Sequence, residues 1–224
     1  MTLRPIGNFT LLLGMALGAG CTLFPNPVPP RVMDLAVTKA VPKAEQPVPV
    51  SLRVDTPYAS EPFNGSLILA KPSPQEFRAY EGSRWRDIAP VVVRDRLVGA
   101  LRYSGAYTNV ITDTNPAQAE LTLVTELSAF HSETLESGPE VVIELYLQML
   151  HNRSRTSLCT RTVRVVEPAA GTSVDQIVEA FGAAGTHLAA RVIEWATACD
   201  YPYPYPSLSV SPDIFSGKDQ PRQP

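Results

Sequence analysis

Residues 120–130 read ELTLVTELSAF and residues 141–150 read VVIELYLQML. In both stretches apolar and polar side chains alternate, which is typical of a β-strand with one buried face. The segment between them, HSETLESGPE, is polar and contains Ser-Gly-Pro, which favours a turn. A third alternating run, Leu158–Val166, follows HNRSRTS. Together the three runs predict an antiparallel meander with one covered face.

Shorter elements precede this meander. Strands are predicted at Val48–Val54, Gly65–Lys71, Glu76–Tyr80 and Tyr107–Thr112. Between the last two, a helix begins near Pro90, which suits a first helical position, and ends at Gly105. Its apolar residues repeat every three or four positions and form one stripe, made of Val93, Leu97, Ala100 and Leu101.

A second helix is predicted at Ser173–Thr197, after the meander. Ser173 and Gln176 form a capping box, and a continuous apolar stripe runs from Val174 to Trp195. Two amphipathic helices each need a surface to cover, and a sheet with one apolar face supplies it. The expected fold class is therefore α+β, a two-layer sandwich of a mostly antiparallel sheet with both helices on one face.

The first twenty residues have the pattern of an export signal. Arg4 gives a positive start, an uncharged apolar run follows, and Gly18-Ala19-Gly20 supplies a small-residue cleavage zone before Cys21. A cysteine at this place looks like a bacterial lipobox, although Gly18 stands where Leu is usual. The pattern predicts cleavage before Cys21, acylation of Cys21 and a lipid anchor. The alternative is an ordinary secretory signal with an incidental cysteine. Thr22 follows Cys21. An Asp at this place would resemble an inner-membrane retention signal, and its absence favours the outer membrane.

The composition predicts four regions. These are a signal peptide (1–20), an acylated N-terminus with a Pro-rich linker (21–46), an α+β domain (47–199) and a Pro/Tyr-rich tail expected to be disordered (200–224). The linker would hold the domain off the membrane, although Val32–Val37 could dock as an edge strand. The formal net charge of -3 argues against a nucleic-acid partner.

Cys159 and Cys199 remain once Cys21 is assigned to lipid. In an oxidising compartment they could form a disulfide that pins the second helix to the sheet. They could equally be two small buried hydrophobes. Spacing in the sequence does not decide between these alternatives.

No catalytic motif is present in the sequence. It has no G-x-S-x-G, P-loop, H-E-x-x-H or C-x-x-C. His131, His151 and His187 are expected to be ordinary polar residues, and Glu133, Glu136 and Glu140 near His131 to belong to a solvated hairpin. We therefore expect no enzyme activity, no catalytic residue, no cofactor and no metal site.

Trp85 is flanked by Arg84 and Arg86, just before the first helix. Trp and Arg are common at interaction hot spots, so this group could bind a partner. The other reading makes Trp85 a core residue that fixes the start of the helix, and this reading is favoured. Arg94, Arg96 and Arg102 could extend a partner interface, or could form a solvated helix face.

The stretches SRWRD (83–87), APVVVRDRLVGAL (89–101) and NV (109–110) together resemble the auxiliary lipoprotein component of ABC-type transport systems. The second helix adds V-x-A-F-x-x-A (178–184) and a late Glu-Trp. The resemblance covers about residues 45–198. It implies an α+β fold, an outer-membrane lipid anchor, ring-like self-association and a role beside transport systems whose periplasmic subunits carry MCE domains.

The expected function is therefore that of a non-catalytic binding or scaffolding component for lipid transport between the two membranes. Its partners would be an MCE-domain periplasmic subunit and its ABC transporter, with a homo-oligomer possible. The chain would be anchored in the outer membrane and face the periplasm. The alternative is a general cell-envelope assembly lipoprotein that shares the fold but not the transport role.

Overall fold

A computed structural model describes residues 28–35 and 41–201, and in this part of the chain eight strands and two helices pack together. The α+β class is thereby confirmed. In chain order the elements are β1 (Arg31–Met33), β2 (Val48–Val54), β3 (Leu67–Ser73), β4 (Glu76–Trp85), α1 (Ala89–Ser104), β5 (Tyr107–Thr112), β6 (Leu121–Leu135), β7 (Gly138–His151), β8 (Thr156–Pro168) and α2 (Val174–Thr197).

Strand β6 is the centre of the sheet. Along one edge it pairs with β7, and β7 pairs with β8. Along its other edge it has two partners: β2 lies beside its first residues, with Leu52 opposite Leu121, and β3 lies beside its last residues, with Ala70 opposite Ser132. The sheet therefore divides into two branches, β2–β5 and β3–β4–β1.

The predicted antiparallel meander of β6, β7 and β8 is present, but the sheet as a whole is mixed. Strands β2 and β3 run parallel to β6, β5 runs parallel to β2, and β1 runs parallel to β4. The expectation of a mostly antiparallel two-layer sandwich was wrong in this respect. Parallel neighbours need long crossover connections, and α1 between β4 and β5 lies in one of these.

Strands β6 and β7 are longer than their alternating sequence suggested. They continue through the polar segment after Phe130 and leave only Glu136 and Ser137 in the turn. A register shift between Leu127 and Ala129 marks a β-bulge, which changes the face on which later residues of β6 lie. Phe130 therefore joins the main core, although the simple alternation placed it on the opposite side.

The helices cover one face of the sheet and contact each other. All four residues of the predicted α1 stripe are buried, and α1 ends at Gly105 with φ 68°, a left-handed conformation that glycine adopts without strain. Helix α2 begins at Ser173, whose hydroxyl accepts a hydrogen bond from the Gln176 amide. Phe181 of α2 reaches the sheet and packs against Trp85 and Phe130.

Part of the predicted linker lies on the domain. Strand β1 pairs with β4, while Leu35 and Val41 are buried in the main core. Cys21, the signal peptide and tail residues 202–224 lie outside the described residues. None of the helices among the described residues is long and apolar enough to cross a membrane.

Candidate partner-binding surface

Arg86 and Arg94 belong to a network of ion pairs around the start of α1. Arg86 binds Asp34 at 2.8 Å and Asp95 at 2.5 Å. Arg94 also binds Asp95, at 2.9 Å, and reaches Asp113 at 3.1 Å. The network joins the segment after β1, helix α1 and the loop after β5.

The ion pairs determine how Asp95 titrates. Partial burial disfavours its charge, but hydrogen bonds from Arg86 and Arg94 outweigh that effect and hold the pKa of Asp95 below its ordinary value. Both arginines therefore have intramolecular carboxylate partners, and the network fastens three segments of the chain.

Trp85 and Arg96 lie in the interior. Trp85 is fully buried, with its ring centroid 5.3 Å from that of Phe130 and 5.2 Å from that of Phe181. Arg96 is 2% exposed, and its Nη2 donates to the Thr186 hydroxyl of α2 at 2.6 Å. Burial lowers the pKa of the Arg96 guanidinium. Both side chains connect buried parts of the molecule.

Arg84 and Arg102 bind backbone carbonyls. Arg84 donates to the carbonyl oxygen of Trp85 at 3.0 Å, and Arg102 donates to that of Val110 at 2.9 Å. Arg84 is half-buried on the sheet, and Arg102 is exposed near the end of α1. The six residues of the predicted interface therefore do not form one continuous surface. Sequence spacing around α1 could not show this, because Arg96 is drawn inward by α2.

His131 lies in an aromatic cluster rather than in a solvated hairpin, because β6 continues past it. It is 3% exposed, stacks on Phe63 and meets the edge of Phe77, while its Nε2 lies 2.7 Å from a Glu133 oxygen. Burial lowers the pKa of His131, despite the opposing effect of Glu133. Alternation could not reveal this cluster, since two of its members come from other segments.

The other two histidines make local contacts. His151 bonds the Ser154 hydroxyl at 2.8 Å, and His187 lies 2.9 Å from a Glu167 oxygen. Across residues 28–35 and 41–201, no three His, Cys, Asp or Glu side chains are grouped so that they could hold a metal ion.

In the structure Cys159 of β8 is bonded to Cys199, just after α2, with Cα atoms 6.0 Å apart. Beside them, the Tyr107 hydroxyl donates to the Ala196 carbonyl at 3.1 Å and meets the Tyr201 hydroxyl at 2.8 Å. Burial raises the pKa of Tyr107. These contacts hold the end of α2 against β5 and β8.

The helix-free face of the sheet carries exposed apolar side chains. Pairing across β1, β4 and β3 places Val32, Arg84 and Leu67 in one row. A second row joins Tyr58, Glu126 and Tyr146. The sequence alone could not reveal this surface, because its apolar members come from seven separate segments, each of which contributes a single residue. Among residues 28–35 and 41–201, the exposed large apolar residues on this face are Val32, Tyr58, Leu67, Phe77, Leu135, Tyr146 and Val166.

An open cleft of about 550 Å³ lies at the opposite end of β6 from the β6–β7 turn, and its lining includes Arg53, Glu120, His151 and Arg153. Arg53 donates to the carbonyl of Thr112, the last residue of β5, and to three carbonyls of the loop that follows, while Glu120 binds Ser51. These groups therefore hold the loop after β5 against β2 and the start of β6.

The family model of the ABC-type transport auxiliary lipoprotein component matches residues 33–193. The chain belongs to this family, and its fold is that of a transport auxiliary lipoprotein.

Two solved structures share the fold with TM-scores above 0.5, and a third is less similar. A crystal structure of a Xanthomonas campestris protein is 24% identical, covers 74% of this chain and 94% of that chain, and gives a TM-score of 0.68. A second crystal structure, of an uncharacterized protein, is 14% identical, covers 75% of this chain and 99% of that chain, and gives a TM-score of 0.60. The structure of the PelC dodecamer from Paraburkholderia phytofirmans is 13% identical, covers 71% of this chain and 96% of that chain, and gives a TM-score of 0.45. No curated protein matches the sequence.

Proposed function

We propose that the protein is a non-catalytic binding and scaffolding component of an ABC-type, MCE-linked system that moves lipids between the inner and outer membranes. The observation that carries this proposal is the family match, which extends over residues 33–193 and describes an auxiliary component.

The anchor in this proposal is an acylated Cys21 in the outer membrane, with the domain facing the periplasm. The export signal and the residue after Cys21 support it. The Cys159–Cys199 bond is proposed to form in that oxidising compartment, because such bonds persist there and are rare in the cytosol.

Of the six residues of the predicted interface, Arg86 and Arg102 are the exposed ones on the helical side. Arg86 and Arg102 lie near the two ends of α1, while Trp85 and Arg96 are buried in the interior. We propose that a periplasmic MCE-domain subunit contacts this side of the domain. The variant Arg102→Glu would reverse the exposed charge near the end of α1 and leave the Arg86 ion pairs with Asp34 and Asp95 intact.

The test is affinity purification of the tagged full chain from native membranes, with partners identified by mass spectrometry. The proposal predicts recovery of an MCE-domain subunit with its permease and loss of that subunit from the charge-reversed variant. The matched controls, the single variants Arg161→Glu on β8 and Arg153→Glu on the β7–β8 turn, should retain it.

Recovery of only outer-membrane or cell-wall assembly proteins would instead support the envelope-assembly alternative. A Cys21→Ser chain measures the anchor separately: it should leave the outer-membrane fraction, and its continued presence there would contradict acylation at Cys21.

A further inference from the structure

An open groove of about 540 Å³ lies between the last turns of α2 and the segment that precedes β2. Its apolar lining includes Pro42 and Ala44 from that segment and Ala190 and Ile193 from α2. The Ala44 amide donates to the Ser104 carbonyl at 2.9 Å, which holds the segment against the end of α1. The groove therefore has two walls that other contacts keep in place.

Tyr201, the last described residue, lies beside this groove. Ala198 belongs to the groove lining, and Tyr201 follows three residues later. At no more than about 3.6 Å per residue, their Cα atoms are within roughly 11 Å of each other. The Tyr201 hydroxyl meets that of Tyr107, the first residue of β5, at 2.8 Å, and β5 begins just after Ser104. The residues after Tyr201 therefore start close to both walls.

The sequence that follows Tyr201 has the length and the character to occupy the groove. Residues 202–206 read PYPYP. Pro-rich segments favour the polyproline II helix, which rises about 3.1 Å per residue, so five residues span roughly 15 Å. Along α2 the groove lining extends from Ala190 to Ala198, roughly 12 Å at about 1.5 Å per residue. Pro-rich segments bind in grooves with little loss of conformational entropy, because their extended form exists before binding.

The charges along the groove agree with an uncharged occupant that carries hydroxyl groups. Glu45 and Glu194 are exposed there, while Lys43 binds the Tyr103 carbonyl and places its Nζ 3.9 Å from the centroid of that ring. Residues 201–212 contain no charged side chain. A tyrosine hydroxyl can donate a hydrogen bond to a carboxylate, whereas an acidic segment would be repelled by the two glutamates.

We propose that residues 202–206 bind in the groove of their own chain, with the Tyr203 and Tyr205 rings against its apolar lining. A segment tethered this close reaches an effective concentration on the order of millimolar, which favours the same chain over a second copy. The bound segment joins the residues before β2 to the end of α2. This inference depends neither on the lipid anchor nor on the identity of a partner, and it departs from the expectation of disorder at the start of the tail.

The first experiment introduces pairs of cysteines into the full chain and follows disulfide formation without reductant. Ala190→Cys is combined with Tyr203→Cys or with Tyr205→Cys. The matched control uses Arg191→Cys, at the next position of α2, because Arg191 donates to the Arg164 carbonyl and so lies on the flank that faces β8. Peptide mapping by mass spectrometry identifies the bonded pairs, and the unsubstituted chain gives the background from native cysteines.

The pairs that include Ala190→Cys should form about tenfold faster than those that include Arg191→Cys, with each bond inside one chain. Equal rates for the two positions would overturn the proposal, because the tail would then not be held on one flank of α2. Bonds between two chains, visible as covalent dimers on a non-reducing gel, would also overturn it and would identify a second copy as the source of the bound segment.

Hydrogen exchange tests the same contact without new cysteines. In the full chain, Tyr203→Ser with Tyr205→Ser removes both rings and leaves the groove unaltered. The amides of residues 190–198 should exchange several-fold faster in this variant, because a helix end that nothing covers opens more often. The control, Ser207→Ala with Ser209→Ala, should exchange like the unsubstituted chain. Unchanged exchange after the two tyrosine substitutions would overturn the proposal.

Discussion

Two adjacent rows of residues in the meander show how the two faces of one sheet differ. Leu127, Leu145 and Val163 are opposite one another on β6, β7 and β8, and all three are buried beneath the helices. One residue away, Glu126, Tyr146 and Thr162 form the next row and are exposed. The face beneath the helices thus supplies buried apolar contacts that stabilise the fold, and the opposite face of the same strands is exposed.

The largest effect on the free energy of unfolding is expected from a large-to-small substitution on the face that the helices cover. Trp85→Ala removes a fully buried ring from its contacts with Phe130 and Phe181. Large-to-small changes of this kind lower the free energy of unfolding by about 3–5 kcal/mol. Urea unfolding followed by circular dichroism measures the change.

The matched control is Tyr146→Ala on the helix-free face, where the ring is partly exposed. We expect this change to alter the free energy of unfolding by about 0.5 kcal/mol or less. Equal losses for the two variants would show that the helix-free face also contributes to the core, and the contrast between the faces would be lost.

A smaller loss in the free energy of unfolding should follow from removing the disulfide that joins the end of α2 to the edge strand β8. Cys159 is paired with the buried Met149 and bonded to Cys199 across 40 residues of sequence. Replacing both cysteines by alanine should lower the free energy of unfolding by about 2–4 kcal/mol, mainly because the unfolded chain gains freedom. Thiol titration of the unfolded protein provides the check: two or more reactive thiols without reductant would show that the bond is absent.

A local effect is expected at the start of α2. Ser173→Ala removes the hydroxyl that accepts the Gln176 amide hydrogen bond, which should cost about 1 kcal/mol. Thr172→Ala, at the exposed neighbouring position, is the control and should change little. Ser173→Asp should preserve stability, and a loss as large as that of Ser173→Ala would contradict the capping role.

The sequence predicted the elements better than their arrangement. Strands Val48–Val54 and Tyr107–Thr112 have the bounds that alternation indicated, and α1 ends at Gly105 as expected. Alternation reports only which face of a strand is buried, so it could not show that β2 and β3 share one edge of β6. Nor could it place Arg96 inside, because a charged residue looks like surface until the packing of α2 against α1 is known.

The smallest predicted effect concerns the one buried histidine on the helix-free face. Burial between Phe63 and Phe77 lowers the pKa of His131, and Lys71 and Arg164 act in the same direction, while Glu133 opposes them. The unfolded chain therefore binds more protons than the folded chain as the pH falls below the ordinary histidine value, about 6.5. The stability associated with neutral His131 should be present above that pH and lost as the pH falls toward the lower folded pKa.

Urea unfolding at pH 7.5 and at successively lower pH measures this loss, and His131→Gln should reduce it. The control is His187→Gln, because the His187 side chain is 59% exposed and lies on α2, outside the cluster of Phe63, Phe77 and His131. A pH dependence that is unchanged by His131→Gln would mean that the cluster of Phe63, Phe77 and His131 opens readily to water. In that case the rings of Phe63 and Phe77 would not keep water away from His131 in the folded protein.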